Sequence, residues 1–193
     1  HKVLSLYMDF YYRVKRINLF ISILLFCLPV NLKAQSILFN HLTTNNGLSN
    51  NYVSDIIQDN TGFLWFATDD GLNRFDGYEF KVYRNTQDNK NSISDNTVLS
   101  FAKDKKGNLW IGTKNGNINC YNPVLDKFKK WKIESDITDD NPITVIHIDK
   151  NNLVWMGTYR SGIYRLNPES GKIDHWDFKL DDPNSISNNY ISS

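Results

Sequence analysis

The chain is poor in cysteine, proline, methionine and histidine, and it is almost neutral. Its 193 residues include 2 Cys, 5 Pro, 2 Met and 4 His, and 22 basic side chains face 21 acidic ones for a formal charge of +1. That balance gives no support to a nucleic-acid partner or to a funnel for polyanions. One of the two cysteines, Cys27, lies in an N-terminal apolar run. Loss of that run would leave Cys120 alone, with no intrachain disulfide to hold the remaining chain together. Cys120 sits in a strand-like INCY, and no His stands at a fixed offset from it, which argues against a catalytic thiol. No His-x-x-x-His, Cys-x-x-Cys, EF-hand loop or phosphate loop occurs, so neither a metal nor a cofactor is expected.

The other titratable candidates are scattered. His41 precedes the repeats described below, His147 lies in VIHID where the matching positions hold Ile57 and Ala102, and His175 belongs to an alternating outer strand. The acidic stretches TDD (Thr68–Asp70) and DITDDNP (Asp136–Pro142) read as turns rather than calcium loops. The basic run DKFKKWK alternates with apolar residues and reads as a solvated outer face set against Asp126 and Glu134. No catalytic residue is assigned, and the ligand-binding residues stay unassigned.

A long apolar run occurs once. Arg13, Lys15 and Arg16 precede INLFISILLFCLPV, Ile17 to Val30, and NLKAQS then places the small Ala34 before Gln35. Charge, short apolar run and a small residue at the cut is the order of a secretory signal peptide. The alternative is an uncleaved anchor, but the run is short for a span and is broken by Asn18 and Pro29. Residues 1–34 are therefore expected to be a signal peptide, with Met8 as the true start and His1–Tyr7 as over-extended translation. The bulky Phe26 before Cys27 is unlike a lipoprotein cleavage box. A first residue other than Met and an end in mid-repeat both suggest a fragment.

What the chain does have is aromatic residues, 13% of the total, and repetition. Trp65, Trp110 and Trp155 recur every 45 residues. Asp59, Asp104 and Asp149 lie six before each Trp, and Gly62, Gly107 and Asn152 lie three before. Ala67, Gly112 and Gly157 follow each Trp by two, and Thr68, Thr113 and Thr158 by three. SISNNYISS at the end echoes GLSNNYVSD at Gly47–Asp55, so a fourth repeat begins there. This period, with strand signals and no amphipathic helix, is the signature of β-propeller blades.

Each blade reads as four strands, in the first copy Tyr52–Gln58, Phe63–Thr68, Leu72–Asp76 and Glu79–Arg84. DNTG and DKKG place Asp first and Gly fourth, as a type I turn closed by a left-handed residue prefers. Asn152 in the third copy, DKNN, is the non-Gly residue that best tolerates that conformation. The second strand, FLWFA or LWIG, is apolar on both faces and must be buried between neighbouring sheets. The small residue two after the Trp is expected to let the indole lie flat against the next sheet. A sugar-stacking role for the three Trp is the rival reading, and their recurrence inside apolar runs favours blade packing. The expected fold is all-β: an incomplete propeller of about three four-stranded blades (about 47–91, 92–138 and 139–184), with a fourth beginning at about 185.

GLSNNYVSDIIQDNTGFLWFATDDGLNRFDGYEF and its copies resemble the two-component regulator propeller repeat of Bacteroides-type hybrid two-component sensors, over about Ile37 to Ser193. The resemblance implies a periplasmic sensor region that binds an oligosaccharide, with a transmembrane helix, histidine kinase and receiver further along the parent chain. It implies control of transcription through phosphorelay and partnership with those downstream domains; a homodimer is a separate expectation. GNLWIGT is also similar to repeats of streptogramin lyase, and Asp-x-x-Gly-x-x-Trp to the Asp-box of sialidases, so an exported lyase or hydrolase is the alternative. A non-catalytic protein-binding scaffold is the third reading.

Overall fold

In the computed structural model the described residues are 2–26, 38–134 and 141–192. They form two units, divided between Asn40 and His41. The first contains one helix, α1, Lys2–Phe26, which carries Arg13, Lys15 and Arg16 and the start of the apolar run. Among the described residues no helix is long and apolar enough to cross a membrane. The expected cut between Ala34 and Gln35, Cys27, Pro29 and the acids Asp136, Asp139 and Asp140 lie outside the described residues.

The second unit is built from three four-stranded antiparallel sheets. The first contains β1 Val53–Gln58, β2 Leu64–Thr68, β3 Gly71–Phe75 and β4 Phe80–Tyr83. The second contains β5 Val98–Lys103, β6 Leu109–Thr113, β7 Asn117–Asn122 and β8 Lys127–Lys132. The third contains β9 Ile143–Ile148, β10 Val154–Thr158, β11 Ile163–Leu166 and β12 Ile173–Trp176. Within each sheet the strands follow in chain order, each hydrogen-bonded to the next. These are the meandering blades of an incomplete β-propeller.

Local chemistry fixes the meander. In the β1–β2, β5–β6 and β9–β10 turns, the N–H of Gly62, Gly107 or Asn152 donates to the carbonyl of Asp59, Asp104 or Asp149 at 3.3, 3.0 and 3.0 Å. Asn152 has φ +63°, the left-handed conformation that Gly62 and Gly107 occupy in the earlier copies. Each inner strand slips register at its second residue, a bulge that recurs in all three sheets.

The core lies between sheets rather than within one. Trp65, Leu72, Val98, Phe101, Ile111 and Tyr121 fill the seam between the first and second blades. Trp110, Ile143, Ile146, Val154, Met156 and Tyr164 fill the seam between the second and third. Stacking is what buries the second strand on both faces. Exposure of one repeat position shows this directly: Phe101 and Ile146 are 7% exposed, whereas their counterpart Ile56, on the outer face of the first blade, is 55% exposed. The fourth repeat is already seated. Gly162 N–H donates to Asn189 O at 2.9 Å and Ile191 N–H to Thr158 O at 3.0 Å, as Gly71 N–H donates to Asn96 O at 2.7 Å two seams earlier.

The small residue after each Trp does something other than expected. Each indole stacks on an aromatic of its own outer strand. Trp65 lies 5.7 Å from Tyr83, Trp110 5.1 Å from Trp131 and Trp155 5.4 Å from Trp176, with interplanar angles of 24°, 29° and 20°. The small position instead admits the next blade's inner strand. A Cβ on Gly112 would lie 2.7 Å from Ile143 Cγ2, and one on Gly157 would lie 2.5 Å from Ile191 Cγ2.

Candidate functional site

Three kinds of polar constellation stand out, and two of them repeat. The first joins the recurring Asp to the recurring Trp. Asp59 Oδ1 accepts the backbone N–H of Thr61 and Phe63 at 2.8 and 3.1 Å, while Oδ2 accepts the Trp65 indole N–H at 2.8 Å. Asp104 does the same for Lys106, Asn108 and Trp110, and Asp149 for Asn151, Leu153 and Trp155. One carboxylate thus closes the turn and anchors the indole. Burial would push the Asp59 carboxyl up, but the donors from Thr61, Trp65 and Phe63 outweigh it and hold the group below its ordinary range. Trp65 and Trp110 are buried and Trp155 is half-buried, its outer side facing the open end of the stack.

The second constellation anchors the strand entering each blade. Ser49 N–H donates to Asn73 Oδ1 at 2.9 Å, Asn73 Nδ2 donates to Ser49 Oγ at 2.7 Å, and Ser49 Oγ lies 2.8 Å from Thr68 Oγ1. Ser94, Asn119 and Thr113 repeat it. In the third blade Tyr164 replaces the Asn and stacks on His175 at 4.1 Å, and His175 Nε2 lies 2.6 Å from Ser161 O. His147 is exposed on β9.

The third constellation occurs once. Asp126 Oδ1 accepts hydrogen bonds from Tyr121 and Tyr83 hydroxyls at 2.8 and 3.0 Å, and Oδ2 accepts from Lys81 Nζ at 2.8 Å. It therefore ties the β7–β8 turn of the second blade to β4 of the first, rather than opposing the neighbouring lysines of its own strand. Lys81, then Tyr121, then Tyr83 hold the carboxyl down at about 2, with burial opposing them. Burial pushes the Tyr83 phenol up to about 12. The folded-state value of Asp126 lies below its unfolded one, so its stabilising effect is complete above pH ~4 and is lost as pH falls towards 2. Half-exposure of the Asp126 side chain keeps the effect small. Melting temperatures of the wild type and Asp126→Asn should differ most above pH ~4 and converge as pH falls to ~2; a constant gap would sink this account.

At the same edge as the β2–β3-type turns, Tyr159 meets Tyr190 edge-on at 5.2 Å, and Arg160 lies 5.7 Å from the Tyr159 ring centre. Cys120 is half-buried, and burial raises its thiol to about 12, so the thiolate is suppressed. Among the described residues no group of three or more His, Cys, Asp or Glu could hold a metal.

The repeats can now be placed among known ones. A family model described as two component regulator propeller matches residues 47–70 and 92–115, each running from the entry loop through the Asp, the Trp and the following Thr. Residues 47–70 and 92–115 are two-component regulator propeller repeats. The chain is similar to a histidine kinase of Formosa agariphila, 45% identical over 78 residues, or 39% of this chain and 6% of that protein. Among solved structures it is similar to the extracellular domain of a hybrid two-component system of B. thetaiotaomicron, with a TM-score of 0.64 and 34% identity over 71% of this chain and 20% of that one. The virginiamycin B lyase of Staphylococcus aureus, at 18% identity and TM-score 0.51 over 65% of this chain and 41% of its own, shares the fold alone. The chain thus spans about a fifth of the hybrid-system domain and a small part of the kinase.

The Asp–indole bond and the Ser–Thr–Asn anchor were not evident in the sequence as side-chain contacts, although their members recur at constant spacing. The Asp126 cluster has no recurrence to reveal it.

Proposed function

We propose that this chain is a periplasmic, ligand-sensing propeller segment of a hybrid two-component sensor histidine kinase. Residues 1–34 direct export, and the blades at about 47–91, 92–138 and 139–184, with a fourth from about 185, belong to the sensor region. The ligand is an oligosaccharide. Its binding favours one of two signalling arrangements of a homodimer, and downstream domains of the parent turn that bias into autophosphorylation and transcriptional control. A ligand can do this only through different affinity for the two arrangements.

The observation that carries the reading is the 34% identity, over 71% of this chain, to the extracellular domain of a hybrid two-component system. Buried Asp–Trp and Ser–Thr–Asn contacts that repeat from blade to blade support a rigid scaffold, and the open loops between them are available for a ligand. The test is to express the intact protein in membranes and assay it against glycan fragments. Autophosphorylation should change severalfold with one fragment class. A parent that lacks a kinase domain, or a kinase indifferent to every glycan, would overturn the proposal.

A further inference from the structure

A polar cleft of about 470 Å³ opens at the outer seam of the first two blades. Its volume lies in the ~300–1,000 Å³ range of small-molecule sites. One wall is Tyr83 and Arg84 at the end of β4, another is Asn89 and Asn91 in the loop to the second blade, and the third is Asp126 and Lys127 at the start of β8. Tyr83 packs edge-to-face on Phe128 at 5.6 Å and gives the cleft an aromatic floor.

One feature sets this place apart from the repeating scaffold. Asp126 has φ +50°, a left-handed conformation that Asp adopts more readily than most residues and Gly most readily of all, and the position 45 residues on is Gly171 with φ +74°. A carboxylate is therefore kept where glycine would serve the turn best, and its bonds to Lys81, Tyr83 and Tyr121 fix it at the edge of the cleft. The loop wall is also built firmly. Ser92 Oγ donates to Asn89 O at 2.8 Å and accepts from Thr86 N–H at 3.1 Å, and Asn89 Oδ1 accepts the Asn91 N–H at 2.9 Å. Ser185, Asp182 and Lys179 repeat this turn after the third blade, so the loop is scaffold, and at this place it carries Asn89 where the later copy has Asp182.

The lining mixes charges. Arg84 is already engaged with Asp70 through Nε and Nη2 at 3.2 and 2.9 Å. An anionic ligand would meet the Asp126 carboxylate, and a cationic one would meet Lys127. A neutral ligand with many hydroxyls can donate to Asp126 and the amide oxygens, accept from Lys127 and the amide nitrogens, and lay a C–H face on the aromatic floor. We propose that the cleft between β4, the 86–92 loop and the β7–β8 turn is a binding site for a neutral saccharide. Resting on the sensor reading above, it gives that reading a place. Because the walls come from two blades, an occupant would clamp the seam and stabilise the stack.

The test uses the full 193-residue chain, labelled with 15N and titrated with cellobiose, lactose and maltose, with digalacturonate and spermidine as charged comparisons. At least one neutral disaccharide should give saturable shifts clustered on the amides of Thr86, Asn89, Asn91, Ser92 and Lys127, and should raise the melting temperature. Asn91→Ala and Asp126→Gly should each weaken it about tenfold; Asn91 is exposed and holds no seam contact, so its variant separates loss of the site from loss of folding, whereas Asp126→Gly also removes the tie to Lys81, Tyr83 and Tyr121. Saturable shifts elsewhere that ignore both variants, tighter binding of either charged probe, or no saturable neutral disaccharide at tens of millimolar would each overturn the cleft assignment. The sensor reading would survive any of these, because it falls only with the kinase assay on the intact protein.

Discussion

Replacing Trp110 by Ala should cost about 3–5 kcal/mol, read as a shift in urea denaturation followed by far-UV circular dichroism. Trp110 is 2% exposed, stacks on Trp131 at 5.1 Å and gives its indole N–H to Asp104 at 3.3 Å. The substitution removes a large buried ring, leaves a cavity between two sheets and deprives a buried carboxylate of a donor. Trp155→Ala removes the same side chain from the same repeat position, with the same Asp contact at 3.0 Å and an equivalent stack on Trp176. Yet Trp155 is only half-buried, and Trp176 is 38% exposed. Its loss should therefore cost about 1–2 kcal/mol, roughly half of a fully buried aromatic. Equal costs at the two positions would show that the stabilisation comes from the contacts within each blade and not from the seam, and would sink this picture of the core.

That contrast also shows how far the sequence could be read. The all-β propeller fold was legible because each repeat spells out its own local rules. Asp with Gly or Asn three later closes a turn, and an apolar second strand has to be buried on both faces. The strand limits agree to within about a residue; β2, for example, begins at Leu64 rather than Phe63. The partners across the fold were less legible. Trp65 and Trp110 lie in the seams as expected, Trp65 meeting Tyr121 of the next blade at 4.9 Å, but each of the three indoles also stacks on an aromatic of its own sheet, Tyr83, Trp131 or Trp176. An aromatic in each final strand was the available signal, but pairing it with the Trp needs the β2–β3–β4 register. The Asp126 cluster was hidden for a different reason. Recurrence reveals what every blade needs, and a contact between Lys81 and Asp126, on different blades, occurs once. A repeat protein's sequence thus shows its scaffold more readily than its ligand site, because a site depends on where the copies differ.

Gly112→Val should destabilise the chain at or above the upper end of the ~1–3 kcal/mol range for overpacking a close-packed core. The backbone of Gly112 lies outside the left-handed region, so conformational strain is not the cause. The cause is space: a Cβ there would meet Ser100 Oγ at 2.5 Å, Ile143 Cγ2 at 2.7 Å and Ile143 Cβ at 2.9 Å. Ser100 cannot simply turn away, because its hydroxyl donates to Ile143 O at 3.0 Å across the seam. The first blade provides the comparison, since Ala67 is tolerated at the matching position, fully buried, where Asp55 stands in place of Ser100 and instead accepts the Phe101 N–H at 2.9 Å. Ala67→Gly should cost only about 1 kcal/mol, the loss of a methyl group and some backbone entropy. If the clash with Ile143 is the mechanism, Ile143→Ala should cost less in the Gly112→Val background than alone, because the two changes exchange volume across one contact. Thermal and urea unfolding of the four-member cycle would read that coupling. Additive costs would mean that the seam opens as a whole to admit the valine, and that the glycine is not what sets the spacing of the blades.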